Sequence, residues 1–201
     1  MSTSQRKERE RAERHQRIID AARELAEADG WDAVTVRRLA DRIEYSQPVL
    51  YSHFTGKAAI ISAVAEQGIA DLTVHLRRAN AASDSPVAVM DAVSRAYLGF
   101  AADNPARYDA MFLMSNGLVF GVDAPQTLRD AFGELEAMFR PFVTDPDDLG
   151  AHTEVAWSAM HGLATLERTG RLRPELRERR LELLVDEWLA AVGAQRREPG
   201  K

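Results

Sequence analysis

The sequence predicts an all-α protein of about nine helices. Three observations carry this. Apolar residues recur at i, i+3/4 and i+7 through most of the chain, and no stretch alternates apolar and polar residues as a half-buried strand does. Proline, serine, threonine and glycine fall at the ends of the periodic runs, where helices start and stop. Hydrophobic residues make up 45% and charged residues 28% of the 201 residues, enough to build a packed core.

The elements follow in order. Residues 1–14 form a charged N-terminal arm; the basic run 5–17 either lengthens the first helix or reaches a minor groove. Ile18, Ile19, Ala22, Leu25 and Ala26 share one face of a helix ending near Asp29, with Gly30 as its stop. Thr35 caps a short helix to Ile43 that turns Val36, Leu39 and Ala40 inward. Ser46 caps the next, which ends near His53 and tolerates Pro48 in its first turn. Thr55 caps a long helix to about Ala79. After the break SDSP, helices are expected over 86–103, 105–116, 125–139, 149–168 and 174–192. Asn104-Pro105 starts the second of these, Pro141 follows the third, and Thr169-Gly170 ends the fourth.

Two short helices joined by a tight link and braced by an earlier helix make a helix-turn-helix unit, here 35–43 and 46–53. In such units the second helix enters the DNA major groove, N-terminal residues first. Gln47 can pair with an adenine edge and Pro48 can touch a thymine methyl. Tyr51 and His53 can donate to phosphates, and Lys57 adds charge to the start of the next helix. Thr35, Arg37 and Arg38 open the preceding helix and could hold the opposite strand's backbone, and Ser46 is a further candidate for DNA contact. The same faces would also suit a small structural bundle, with Tyr51 and His53 as ordinary surface. Charge is consistent with DNA binding at one end only. Residues 1–57 hold 11 basic and 10 acidic side chains, while the whole chain carries a formal net charge of −5.

The segment TVRRLADRIEYSQPVLYSHFTGK resembles the DNA-binding segment of the TetR family of transcriptional regulators. The resemblance rests on Thr35, Arg37, Leu39, Ala40, Leu50, Tyr51, His53, Phe54 and Lys57, and covers about residues 15–65. It implies phosphate contacts from Tyr51, His53 and Lys57 and base contacts from Gln47 and Pro48. It also implies an N-terminal three-helix DNA-binding domain (15–57), a helical ligand-binding and dimerisation domain (58–194) and a tail (195–201). One position departs from the family pattern: Glu44 stands in the turn where glycine is usual. A positive φ there would cost Glu roughly 1 kcal/mol relative to glycine and would bear on the tilt of the recognition helix.

In the remainder, Phe100, Tyr108, Met111, Phe112, Phe120, Met138, Trp157 and His161 are aromatic, Met or His residues at helical spacing. They read either as core or as the lining of a cavity for a largely apolar small molecule. The spacing Trp157-x3-His161-Gly162 resembles a C-terminal domain class named after those three residues. His161 is then either a structural histidine or a polar anchor. Leu163, Leu166, Leu181, Leu184 and Trp188 form apolar stripes near the chain end. They either close the monomer core or, as the family resemblance implies, pair with a second copy in a homodimer.

The chain has no cysteine, which excludes disulfides and thiolate chemistry. His152 and His161 are too far apart to share a metal ion, and no metal or cofactor is expected. The polar N-terminus and the lack of a long apolar run point to a cytoplasmic protein without a membrane span. The expected function is a ligand-responsive repressor binding a near-palindromic operator. An enzyme would have to rest on His161 with Glu154 or Glu167, unsupported by any nucleophile or phosphate-loop motif. A helical protein-interaction module is the other alternative.

Overall fold

The computed structural model describes residues 2–121 and 123–195. The described residues form nine α-helices and no strand: α1 (Thr3–Asp29), α2 (Val36–Ile43), α3 (Gln47–His53), α4 (Lys57–Asn80), α5 (Pro86–Asp103), α6 (Pro105–Phe112), α7 (Gln126–Ala137), α8 (Pro146–Arg168) and α9 (Arg177–Gln195). Short 3-10 turns at Trp31–Ala33 and Pro174–Leu176 complete them. The expected tail lies, apart from Gln195, outside the described residues.

The helices form two compact units. The first comprises residues up to Ile69 together with Asn104–Asp123; the second comprises Ala70–Asp103 and the residues from Ala124 onward. These units divide differently from the expected boundary at 57/58, because α6 packs with the N-terminal residues. Trp31 Nε1 donates to the Ala106 carbonyl at 2.7 Å in a buried position. The Glu27 carboxylate accepts from the Ala106 and Arg107 backbone N–H groups at 2.9 and 3.0 Å. Glu27 thus supplies the cap expected of Asn104, whose side chain makes no capping bond. The free N–H groups at the start of α6 are satisfied from α1, which fixes α6 there.

In the first unit α1 is one continuous helix, not a helix preceded by a separate arm. Ser2 and Gln5 form a reciprocal capping box. Ion pairs at i, i+4 spacing, Arg6–Glu10, Arg9–Glu13 and Glu10–Arg14, then support an exposed segment with no apolar stripe. Further along, Ile18, Ile19, Ala22, Leu25 and Ala26 are buried as expected. The Met111 side chain of α6 lies over Gly68 of α4: a Cβ there would come within 2.6 Å of Met111 Sδ. Helix α6 ends at Phe112, short of the expected 116, because the Asn116 side chain donates to the Ala110 and Met111 carbonyls and closes the helix end.

In the second unit α5 packs against α8 and α9, and α7 against α8. The core holds Met90, Val93, Tyr97, Phe100, Met138, Phe139, Met160, Val185 and Trp188. Two buried hydroxyls, Ser94 and Thr153, donate to the carbonyls four residues back and need no other partner. Helix α8 begins three residues earlier than expected because Asp145 caps it, accepting from the Asp147 and Asp148 N–H groups. Glu134 accepts from Arg77 at 2.7 Å and from Asn80 at 3.0 Å, tying the end of α4 to α7.

Candidate nucleic-acid interface

Helices α2 and α3 are short, so their termini decide their geometry. Thr35 Oγ1 accepts from the Arg38 N–H at 3.2 Å and starts α2. Glu44 ends it at φ 57° and ψ 37°, the left-handed region, and is the sole non-glycine residue with positive φ among those described. Its N–H and that of Tyr45 both reach the Ala40 carbonyl, a Schellman-type closure that turns the chain into α3. Ser46 stands at the start of α3 without a side-chain capping bond, so its hydroxyl remains available to an external acceptor. Leu50 and Phe54 are buried and pin α3 to the unit. Val49 is half-buried.

The expected contact residues divide by what already occupies them. Gln47, Pro48 and Tyr51 lie on the exposed side of α3, Tyr51 at 55% exposure. Arg37 is exposed on α2. Arg38, in contrast, is held by Asp29 at 2.7 Å and reaches the Ala33 carbonyl. Lys57 is half-buried and its ammonium donates to the Trp31 carbonyl. Both keep their charge near α3 but would have to share or leave these partners to meet a phosphate.

His53 is half-buried against α1, with its ring centroid 5.9 Å from that of His15, which itself stacks on Phe54 at 4.4 Å. Burial, then the nearby His15, Arg11 and Arg14, push the His53 pKa below the usual 6.5. The neutral imidazole can still donate one ring N–H. Arg17 donates to the Tyr45 hydroxyl at 3.1 Å, bracing the link between α2 and α3. Sequence reading missed these α1 contributions. The Glu/Arg i, i+4 ladder was the signal that the helix continues.

The residues expected to line a ligand cavity divide between the two units. Tyr108, Met111, Phe112 and Phe120 belong to the first unit; Phe100, Met138, Trp157 and His161 belong to the second. Tyr108, Met111, Phe100 and Met138 are buried as core, whereas Phe120 is 46% exposed in a loop. Trp157 donates to the Tyr97 hydroxyl at 3.0 Å, and its ring lies 6.4 Å from that of His161. Burial lowers the His161 pKa below 6.5.

The second unit instead carries a cleft of about 330 Å³ lined by Leu98, Ala102, Ala164, Leu172 and Pro174, with Glu167, Arg168, Arg177 and Arg180. None of the expected residues lines it. Arg180 reaches Glu167 at 2.7 Å and Arg177 reaches it at 3.3 Å.

Of the expected dimer residues, Leu181 and Trp188 are buried within their own unit, on the side of α9 that packs on the core; Trp188 meets Phe139 edge to face at 5.9 Å. Leu163 and Leu184 are half-buried and Leu166 is 36% exposed. Val155 and Leu183, not singled out from the sequence, are more exposed at 63% and 44%. Among the described residues no group of three or more His, Cys, Asp or Glu side chains could hold a metal ion. No described helix is long and apolar enough to cross a membrane.

Comparison with known proteins extends this geometry. Residues 18–64 match the family model described as bacterial regulatory proteins, tetR family. Residues 90–188 match a tetracyclin repressor-like C-terminal domain. An uncharacterized HTH-type transcriptional regulator of Mycobacterium tuberculosis, Rv0681, is 31% identical over 157 residues, covering 76% of this chain and 69% of that protein. The class A tetracycline repressor of Escherichia coli is 41% identical over 58 residues, 29% of this chain and 27% of the repressor. Among solved structures, BioQ with its double-stranded DNA operator superposes with TM-score 0.63 at 20% identity, covering 88% of this chain and 98% of that one. A TetR variant of Acinetobacter baumannii in complex with minocycline superposes with TM-score 0.66 at 17% identity, covering 90% and 97%. At these identities the two structures establish a shared fold.

Proposed function

Since the chain belongs to the TetR family of bacterial transcriptional regulators, we propose that it is a ligand-responsive repressor that binds a near-palindromic operator as a homodimer. The observation that carries the reading is α3. Its inner side is pinned by Leu50 and Phe54, while Gln47, Pro48 and Tyr51 stand free on its outer side. As the second helix of a helix-turn-helix, a helix locked on one side and carrying exposed polar residues on the other is suited to reading the major groove. Gln47 and Pro48 read bases. Tyr51, Arg37 and the Ser46 hydroxyl hold phosphates, joined by Thr35, Arg38, His53 and Lys57 once the operator competes for their present partners.

Two copies pair through the apolar positions left outside the core of α8 and α9, namely Val155, Leu163, Leu166, Leu183 and Leu184. Pairing sets two α3 helices at half-sites one helical turn or a multiple apart. A small molecule relieves repression by preferring the non-binding conformation. The cleft of the second unit, lined by apolar side chains and by three guanidinium groups set against the single carboxylate of Glu167, suits an apolar body bearing an acidic group better than a wholly apolar molecule. The Trp157-x3-His161-Gly162 class assignment rests on those three residues.

The test is titration of the DNA upstream of the protein's own gene at several salt concentrations, and of a pool of random sequences. Sequence-selective binding should weaken steeply with salt. Tyr51→Ala should lose about tenfold in affinity, one hydrogen bond to a charged group, with unchanged thermal stability. Salt-insensitive or sequence-blind binding would refute the proposal.

A further inference from the structure

The N-terminal half of α1 does something that neither the core nor the groove-reading face of α3 requires. It carries Lys7, Arg11 and Arg14 at i, i+4 and i+7, one side of the helix. With Glu10 and with Ser52 and His53 at the end of α3, they line a concavity of about 570 Å³ within the first unit. Lys7 and Arg11 are exposed and make no ion pair or hydrogen bond among the described residues. Arg14 has only a solvent-exposed pairing with Glu10 at 3.6 Å, which is worth little. Glu10 is shared with Arg6 at 3.4 Å, so three cations on this wall face one carboxylate already engaged. Ser52 is spent on the Val49 carbonyl at 2.7 Å, leaving the cations and one ring N–H of His53 as donors. The depressed His53 pKa, with Arg11 and Arg14 among its causes, reports the same uncompensated positive field.

The place of the concavity identifies its ligand. His53 lies six residues beyond Gln47, roughly 9 Å along α3. A helix whose first turn reads bases in a groove about 12 Å wide has its far end at the groove's edge, where the sugar-phosphate backbone runs.

We propose that this concavity is a phosphate seat: a backbone phosphate of the operator lodges between α1 and the end of α3, held by Lys7, Arg11 and Arg14. The seat rests on the DNA-binding reading above and enlarges each half-site interface beyond the groove that α3 occupies. It contributes affinity and orientation, and no base preference.

The test compares wild type, the double variant Lys7→Ala/Arg11→Ala, the charge-matched control Arg6→Ala/Arg9→Ala, and Tyr51→Ala. All are titrated on one duplex selected by the wild type from random sequence. Alanine preserves an exposed helix, and circular dichroism checks this. The slope of log affinity against log salt should become shallower by about 0.9 for each phosphate that Lys7→Ala/Arg11→Ala no longer neutralises. Affinity should fall by the same factor on every sequence. Ethylation of one phosphate per half-site, which blocks the wild type, should cease to matter to that variant, while the control keeps the wild-type slope and ethylation pattern. If both double variants behave alike, the effect is distant charge and the seat is overturned. If Tyr51→Ala weakens binding and Lys7→Ala/Arg11→Ala does not, the seat falls and the DNA-binding reading stands. If the wild type itself selects no sequence, both fall.

Discussion

Replacing Glu44 by glycine should stabilise the protein without changing what it binds. Glu44 sits at φ 57° and ψ 37°, where an L side chain crowds the following carbonyl at a cost of about 1–2 kcal/mol relative to glycine. Glycine removes that cost but loosens the unfolded chain by about 0.4–1 kcal/mol. The expected net gain is therefore about 0.5–1 kcal/mol. For a chain of this length that is a rise of roughly 1–4 °C in Tm. The assay is urea and thermal unfolding at fixed protein concentration, because the proposed dimerisation would make Tm concentration-dependent.

Glu44→Gln separates the two causes available. A carboxylate at the C-terminal end of α2 opposes the helix dipole, so losing its charge helps by about 0.3–1 kcal/mol at most when exposed. Glutamine keeps the backbone strain, and Glu44→Ala keeps it too. If glutamine or alanine gains as much as glycine, the strain argument is refuted. A loss of stability in Glu44→Gly would refute it more directly. DNA affinity should stay within about twofold, well under 1 kcal/mol, because glycine enters the same turn and leaves the exit to α3 through Ala40 and Tyr45 unchanged.

Three further outcomes are expected. Trp31→Phe removes a buried donor and leaves the Ala106 carbonyl without it, costing about 1–3 kcal/mol, read from the urea midpoint. Gly68→Ala forces its Cβ to within 2.6 Å of Met111 Sδ and should destabilise by about 1–3 kcal/mol despite better helix propensity; Met111→Ala in the same chain should remove that specific conflict, seen as non-additive unfolding free energies. His53 and His161 both have folded-state pKa values below the usual 6.5, so the folded state binds fewer protons than the unfolded one. Their stabilising contribution is full above pH 6.5 and is lost as pH falls from there toward the lowered values; His53→Gln/His161→Gln should flatten the pH dependence of the urea midpoint across that window.

What the sequence discloses depends on how far away the deciding partner lies. The helix-turn-helix was legible because its determinants are local. Thr35 caps within three residues, Pro48 tolerates the first turn of α3, and Leu50 and Phe54 are buried by their own periodicity. The left-handed Glu44 was raised only through the family resemblance, as the position where glycine is usual. Of the aromatic and Met residues read as core or cavity lining, Tyr108, Met111, Phe100 and Met138 are buried, while Phe120 is exposed. Which core each joins was not legible. That is settled for α6 by Trp31 and Glu27, more than seventy residues back in the chain, so residues with one compositional signature divide between two units. Apolar spacing on α9 likewise marks Leu181 and Trp188 as inward, but it does not say whether the inside belongs to one chain or to two. The α1 extension is the converse case. Its stability comes from local ion pairs and a capping box, all present in the sequence, yet it has no apolar stripe for a periodicity argument to find. A helix extended into solvent by ion pairs and a capping box, with cations left over beside α3, is what the proposed phosphate seat would use.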